Sequence, residues 1–168
     1  MSIFVDLEIR NKLISHLYSL GTDDPDVKNR SLDLSVFGYG FTAAPLYMNE
    51  GEKTSDSLPE DREWIEHFLV KSPQIIYTQG DCGISSKDFV FTIWVKTDRN
   101  KGTFYNEMIS GLIEEHFPNN MHIPLDNGDT LTVVKSYQQA SIIQDSKSGR
   151  LFNRVFVECE NYFKNNNK

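Results

Sequence analysis

Lys87-Asp-Phe-Val-Phe-Thr-Ile-Trp-Val-Lys-Thr97 is the stretch that decides the fold. Phe89, Phe91, Ile93 and Val95 recur at a period of two, and Trp94 falls on the opposite face. That alternation predicts a strand over Lys87–Thr97 with one face in the core. Upstream, Gln74–Gln79 predicts a second strand, and Gly80–Ser86 reads as the turn between the two. Downstream, Asp98–Gly102 is a polar loop. Phe89–Val95 is also the longest nearly apolar run, far too short to cross a bilayer.

Two helices are expected on either side of this centre. Thr103–His116 places Phe104, Met108 and Leu112 one above another, with Tyr105, Ile109 and Ile113 alongside. Glu107, Ser110 and Glu114 mark its wet face, Thr103 is the expected N-cap, and Pro118 ends the helix near Phe117. Residues 3–20 form the other helix. Glu8, Lys12, Ser15 and Ser19 lie on one stripe, and Ile3, Leu7, Ile14, Leu17 and Tyr18 on the other side. Glu8 and Lys12 are spaced as a favourable ion pair, and Gly21 is the expected stop.

Three strand signals finish the chain, at Met121–Leu125, Thr130–Gln139 and Leu151–Phe163. Asp126-Asn-Gly-Asp129 is a strong turn between the first two, and Asp145–Gly149 turns into the last. The tail Lys164–Lys168 is expected to fray. Ser31–Phe41 alternates weakly and Pro45–Asn49 is a short apolar strand. Glu63–Val70 is open between helix and strand: Trp64, Ile65, Phe68 and Leu69 have helical spacing, but the run is short and Pro73 follows. Strands joined by short turns predict a single α+β domain over 1–163, its mostly antiparallel sheet packed against two helices. An extra hairpin or loop is expected near residues 22–43.

Composition narrows the function. With 24 acidic against 17 basic residues the chain carries a net charge of −7, and it contains no basic run, against nonspecific nucleic-acid binding as its main activity. Asp6 and Glu8 stand where a signal peptide would be apolar, so neither secretion signal nor membrane anchor is expected. Cys82 and Cys159 read as unpaired thiols in a reducing cytoplasm.

No chemistry-bearing motif emerges. His16, His67, His116 and His122 have no His or Cys at ligand spacing. Asp23, Asp24 and Asp26 fail the calcium-loop pattern, with Asn29 where its glycine belongs. Gly38-Tyr-Gly40 lacks the third glycine of a dinucleotide fingerprint. Cys82 sits in a tight turn with no base beside it, and Glu114-Glu115 face different ways. The expectation is no catalytic residue, no metal and no cofactor. Phe37, Tyr39 and Phe41, punctuated by two glycines, are the one interesting set: either core side chains or an arm contacting a neighbouring subunit.

The order of elements resembles the tail terminator (tail completion) family of long-tailed bacteriophages. The resemblance is carried by Ala44-Pro-Leu-Tyr-Met-Asn-Glu50, Trp64–Lys71, Gln79-Gly80 and Phe89–Thr97. It continues through the loop with Gly102, the helix ending His116-Phe-Pro118, and strands Thr130–Gln139 and Leu151–Phe163. It covers roughly residues 1–20 and 44–163, and Thr22–Ala43 is longer than the family leads one to expect. The resemblance implies a sheet flanked by two helices, with Trp64–Lys71 a strand. It implies a structural virion protein without enzymatic activity, assembled in the host cytoplasm and placed in the virion tail or neck. Such a protein forms a ring with copies of itself, usually hexameric, on the tail tube protein. The ring stops tube polymerisation, meets the head connector or neck protein, and lets genome DNA pass its lumen without specific binding. The other reading is a small cytoplasmic α+β ligand-binding or regulatory module.

Overall fold

The computed structural model describes residues 3–23, 64–72, 75–76 and 83–164. They form helix α1 (Ile3–Asp23), strands β1 (Trp64–Lys71), β2 (Ile75–Ile76) and β3 (Ile84–Thr97), and helix α2 (Gly102–His116). Strands β4 (His122–Pro124), β5 (Thr130–Gln138), β6 (Ile143–Gln144) and β7 (Leu151–Lys164) follow. One antiparallel sheet runs in the order β1-β3-β7-β5-β4, with β2 paired to β3 and β6 to β7. The fold is α+β, with both helices against one face of the sheet.

The centre is the pairing of β3 with β7, in register from Ile84↔Lys164 to Thr97↔Leu151. Alternation in both strands sorts the side chains. Phe89, Phe91, Ile93 and Val95 meet Val155, Val157 and Cys159 on the inner face, all buried. Ile65 of β1 and Leu131 and Val133 of β5 extend that layer. The helices cover it with Ile9, Leu13, Leu17 and Leu20 from α1 and Ile109, Leu112 and Ile113 from α2. Trp64–Lys71, open between helix and strand by pattern, is a strand in full register with β3. The Asp126–Asp129 turn forms as expected, with Gly128 at φ 86 and its N–H donating to Leu125 O at 3.0 Å.

Several expectations are corrected. Helix α1 runs past Gly21 to Asp23, because an interior glycine weakens a helix by only about 1 kcal/mol without breaking it. Its buried face is Ile9, Leu13, Ile14, Leu17 and Leu20, which keeps the expected Ile14 and Leu17 but leaves Leu7 52% exposed. Lys12 pairs with Asp126 at 2.9 Å, while the Glu8 carboxylate accepts from the Asp126 backbone N–H. Helix α2 begins at Gly102, not at an N-cap Thr103. The expected loop before it is a 3-10 turn over Arg99–Lys101, capped by Asp98, that leads directly into the helix. On α2, Ser110 is buried and Phe104 is 77% exposed, the reverse of the expected faces.

A polar clasp causes that rotation of α2. Asn106 Nδ2 donates to Thr97 Oγ1 at 3.0 Å and lies 3.2 and 3.3 Å from the carbonyls of Val95 and Leu151. Ser110 Oγ donates to Asn106 Oδ1 at 3.4 Å. Asn106 thereby turns toward the β3–β7 end, and Phe104, on another side of the helix, turns out. Ile84–Ser86 belongs to β3 rather than to a turn, since partners on both sides, in β2 and β7, outweigh serine's weak strand preference. Lys164, expected in a frayed tail, closes the β7 pairing opposite Ile84.

Candidate interaction face

Of the chemistry-bearing residues singled out by the sequence, only His16 and His116 meet among the described residues. Phe37, Tyr39 and Phe41 lie outside the described residues, as do the expected strands at 31–41 and 45–49, Asp24, Asp26 and Cys82. Cys159 is buried under the helices, and burial pushes its thiol up to about 12. Among the described residues no group of three or more His, Cys, Asp or Glu side chains is placed to hold a metal ion.

His16 and His116 do come together, from α1 and the end of α2. Their rings stack with centroids 4.1 Å apart. Each Nε2–H donates to the other residue's backbone carbonyl at 2.7 Å. Ser19 Oγ donates to His16 O at 2.6 Å and lies 2.9 Å from His116 Nε2. The Nε2 atoms are committed to carbonyls, so the pair is a helix–helix clasp. Burial holds the His16 pKa below the usual histidine range, and the neighbouring His116 charge acts in the same direction. Asp6 performs the corresponding task at the other end of α1. It binds Lys71 at 2.6 Å and Lys87 at 2.9 Å, and these two cations hold its carboxyl low against the opposing effect of burial.

His67 is the odd member of the inner face. It is buried against Phe91, and neither ring nitrogen has a hydrogen-bond partner. Burial, helped by the Arg10 charge, lowers its pKa to about 4.

The other face of the sheet carries the most distinctive chemistry. Side chains pointing away from the helices include Phe68 of β1, Trp94 of β3, Phe152 and Phe156 of β7, and Tyr137 of β5. Trp94 and Phe152 stack at 5.3 Å, Tyr137 and Phe156 at 5.3 Å, and Phe68 tilts against Trp94 at 6.4 Å. Register places the buried Thr92 between Phe68 and Phe156, so two aromatic clusters, Phe68–Trp94–Phe152 and Tyr137–Phe156, share this face across four strands. Val70, 53% exposed, prolongs it at the β1 edge.

Cations sit on these rings. The Arg154 guanidinium lies 4.1 Å from the Trp94 ring centre, Lys96 lies 5.7 Å from the same ring, and Lys135 lies 4.8 Å from Tyr137. Such contacts strengthen where water is thinned out. Lys96 also pairs with Glu66 at 2.9 Å, and the Tyr137 hydroxyl donates to Glu158 at 2.8 Å, which holds the phenol proton on and raises its pKa. Arg154 has no carboxylate partner among the described residues, and its Nε–H and the Trp94 Nε1–H are buried without acceptors. Asp88 and Glu160, opposite one another in register, make the far end of the same face acidic. Trp94, opposite the apolar alternation of Phe89–Val95, is the residue by which the sequence first marked this face. Phe152 and Phe156, alternating with the inward Val155 and Val157, carried the same signal.

No protein-family model matches the chain, and no curated protein matches it. A solved structure with 12% sequence identity matches 68% of this chain and 77% of its own, at a TM-score of 0.52. Likeness at that identity concerns the fold alone. No helix among the described residues is long and apolar enough to cross a membrane.

Proposed function

We propose that the chain is a structural, ring-forming protein of the tail-terminator kind, capping a phage tail tube and joining it to the head connector. The observation that carries this reading is the aromatic, cation-bearing outer face of the sheet. A subunit that works only in an assembly has reason to keep large rings outside its own core, since they anchor contacts with neighbours. Trp64–Lys71 adds support: the residue pattern left it open, the resemblance required a strand, and it pairs in full register with β3. In this reading the chain performs no catalysis and needs no cofactor or metal. Its partners are further copies of itself, tail tube protein and a connector or neck protein, with DNA passing through the ring.

Electron microscopy of the purified full chain, alone and mixed with polymerising tail tube protein, tests this. The expected result is rings and tubes that stop growing where a ring sits. Tubes that elongate at the same rate with the protein present, and carry no cap, refute it.

A further inference from the structure

Two surfaces lie on opposite sides of the helix and sheet layers that the described residues form. One is the Trp94–Arg154 end of the outer sheet face. The other is the outward stripe of α2, where Phe104, Glu107 and Glu115 fall on one side at helical spacing. Phe104 is almost fully exposed, although every other large apolar side chain described on α2 is buried or packed against the core. Glu107 and Glu115 are exposed and have no cation partner among the described residues. Across the molecule, Arg154 and Lys135 rest on rings and have no carboxylate partner among the described residues.

We propose that copies of this chain associate head to tail, the Phe104–Glu107–Glu115 stripe of one copy seated on the Trp94–Arg154 surface of the next. Phe104 adds an aromatic anchor to the Trp94–Phe152 stack, and Glu107 and Glu115 supply the carboxylates that Arg154 and Lys135 lack. Aromatic anchors beside desolvated charge pairs are the usual seat of interface energy. The two surfaces are different, so the contact is heterologous and propagates into a ring or a filament rather than a closed dimer. Single-stranded nucleic acid also stacks on aromatic sheets. Here the net charge of −7, and Glu66, Asp88, Glu158 and Glu160 on the same face, oppose its phosphates.

The biological setting of this contact rests on the ring reading above, but its surfaces are tested separately, by sedimentation velocity of the full chain at about 100 μM, where an ordinary interface is saturated. The wild-type chain is expected to form oligomers. Arg154→Glu and Glu107→Lys are each expected to weaken association at least about tenfold, the scale of one interfacial charge pair. An equimolar mixture of the two variants is expected to regain oligomers, because each junction then carries either the native or the exchanged charge pair. Near-ultraviolet circular dichroism checks that each variant is folded. Should Arg154→Glu unfold, Phe104→Ser, at a largely exposed position, takes its place, with loss of association as the expected result.

A wild-type chain that is monomeric, folded variants that associate like the wild type, or a mixture without rescue overturns the proposal. So does a monomer that takes up an oligonucleotide and loses it on Trp94→Ala. Rings that survive the variants remove this contact and leave the tail-terminator reading standing. Oligomers that obey the charge exchange but never cap a tail tube uphold the contact and remove that reading.

Discussion

The two faces of the sheet share the same strands, pleat and twist, yet they are stabilised by different physics. On the inner face Phe89, Phe91, Ile93 and Val95 are taken completely out of water by α1 and α2. On the outer face Phe68, Trp94, Phe152, Phe156 and Tyr137 lie against one another and under cations, most of them half-buried, with no helix over them among the described residues. Inner aromatics therefore hold the helices to the sheet, while the outer aromatics pack among themselves and, in the proposed assembly, also meet a neighbouring subunit. The largest expected effect tests the inner half. Phe91→Ala, which removes a fully buried ring touching His67 and Phe117, is expected to destabilise the subunit by about 3–5 kcal/mol. Trp94→Ala on the outer face is expected to cost the isolated subunit no more than about half as much. Urea unfolding of the two variants under monomeric conditions measures the gap, and equal losses would erase the distinction between the faces.

His67 is a polar defect in the inner face, and it makes that half pH-dependent. Its folded pKa of about 4 lies below the ordinary 6.5. The unfolded chain therefore takes up a proton that the folded chain resists. The stability linked to this group is fully present above pH 6.5 and is lost as pH falls toward 4, by up to about 3 kcal/mol. The lowered His16 pKa acts in the same direction. The slope of unfolding free energy between pH 7 and pH 4 is expected to shrink in His67→Leu. That variant also removes two buried nitrogens without partners, so it is expected to be at least as stable as wild type at pH 5. An unchanged slope would mean that His67 does not carry the effect.

Next in size is the clasp that orients α2. Asn106→Ala removes the donor to Thr97 and leaves polar groups at the β3–β7 end without it, an expected cost of about 1–3 kcal/mol. Asn106→Leu is not expected to recover it, since the carbonyls stay buried. Chemical denaturation of both variants reads the effect.

This clasp also shows where the sequence stops being legible. The strand at Phe89–Val95 was readable because alternation is a property of neighbouring residues. So were the Asp126–Asp129 turn and the existence of both helices. The rotation of α2 was not, because it depends on Asn106 finding Thr97, Val95 and Leu151, contacts that no local pattern encodes. An apolar stripe through Phe104, Met108 and Leu112 looked complete by itself, and only the tertiary polar contact turned Phe104 out. The residue pattern leaves Trp64–Lys71 open between helix and strand for a related reason. Its apolar residues suit either period, and pairing with β3 decides between them. His16 and His116, a hundred residues apart, met through helix packing that spacing rules do not reach. On the outer face, by contrast, the alternate aromatic positions of β7 were written plainly beside the core positions. They could be read once the strand's inward face was known.

The smallest expected effect on stability bears on the outer half of the comparison. Phe104→Ser alters a side chain that touches almost nothing in its own subunit, so the change in unfolding free energy is expected to stay within about 0.5 kcal/mol. Losing an exposed ring also removes apolar surface from water, which makes the folded monomer more soluble and no less ordered. If Phe104 were a core residue in the dissolved molecule, as its place in the apolar stripe first implied, the same substitution would cost several kcal/mol through the cavity it left. Unfolding and self-association then move in opposite ways under the two assignments. A core phenylalanine lowers the melting temperature and leaves association per folded subunit unchanged. An outward anchor leaves melting of the monomer unchanged and weakens association. Measuring both on one preparation separates a residue that holds the subunit from one that holds its neighbour.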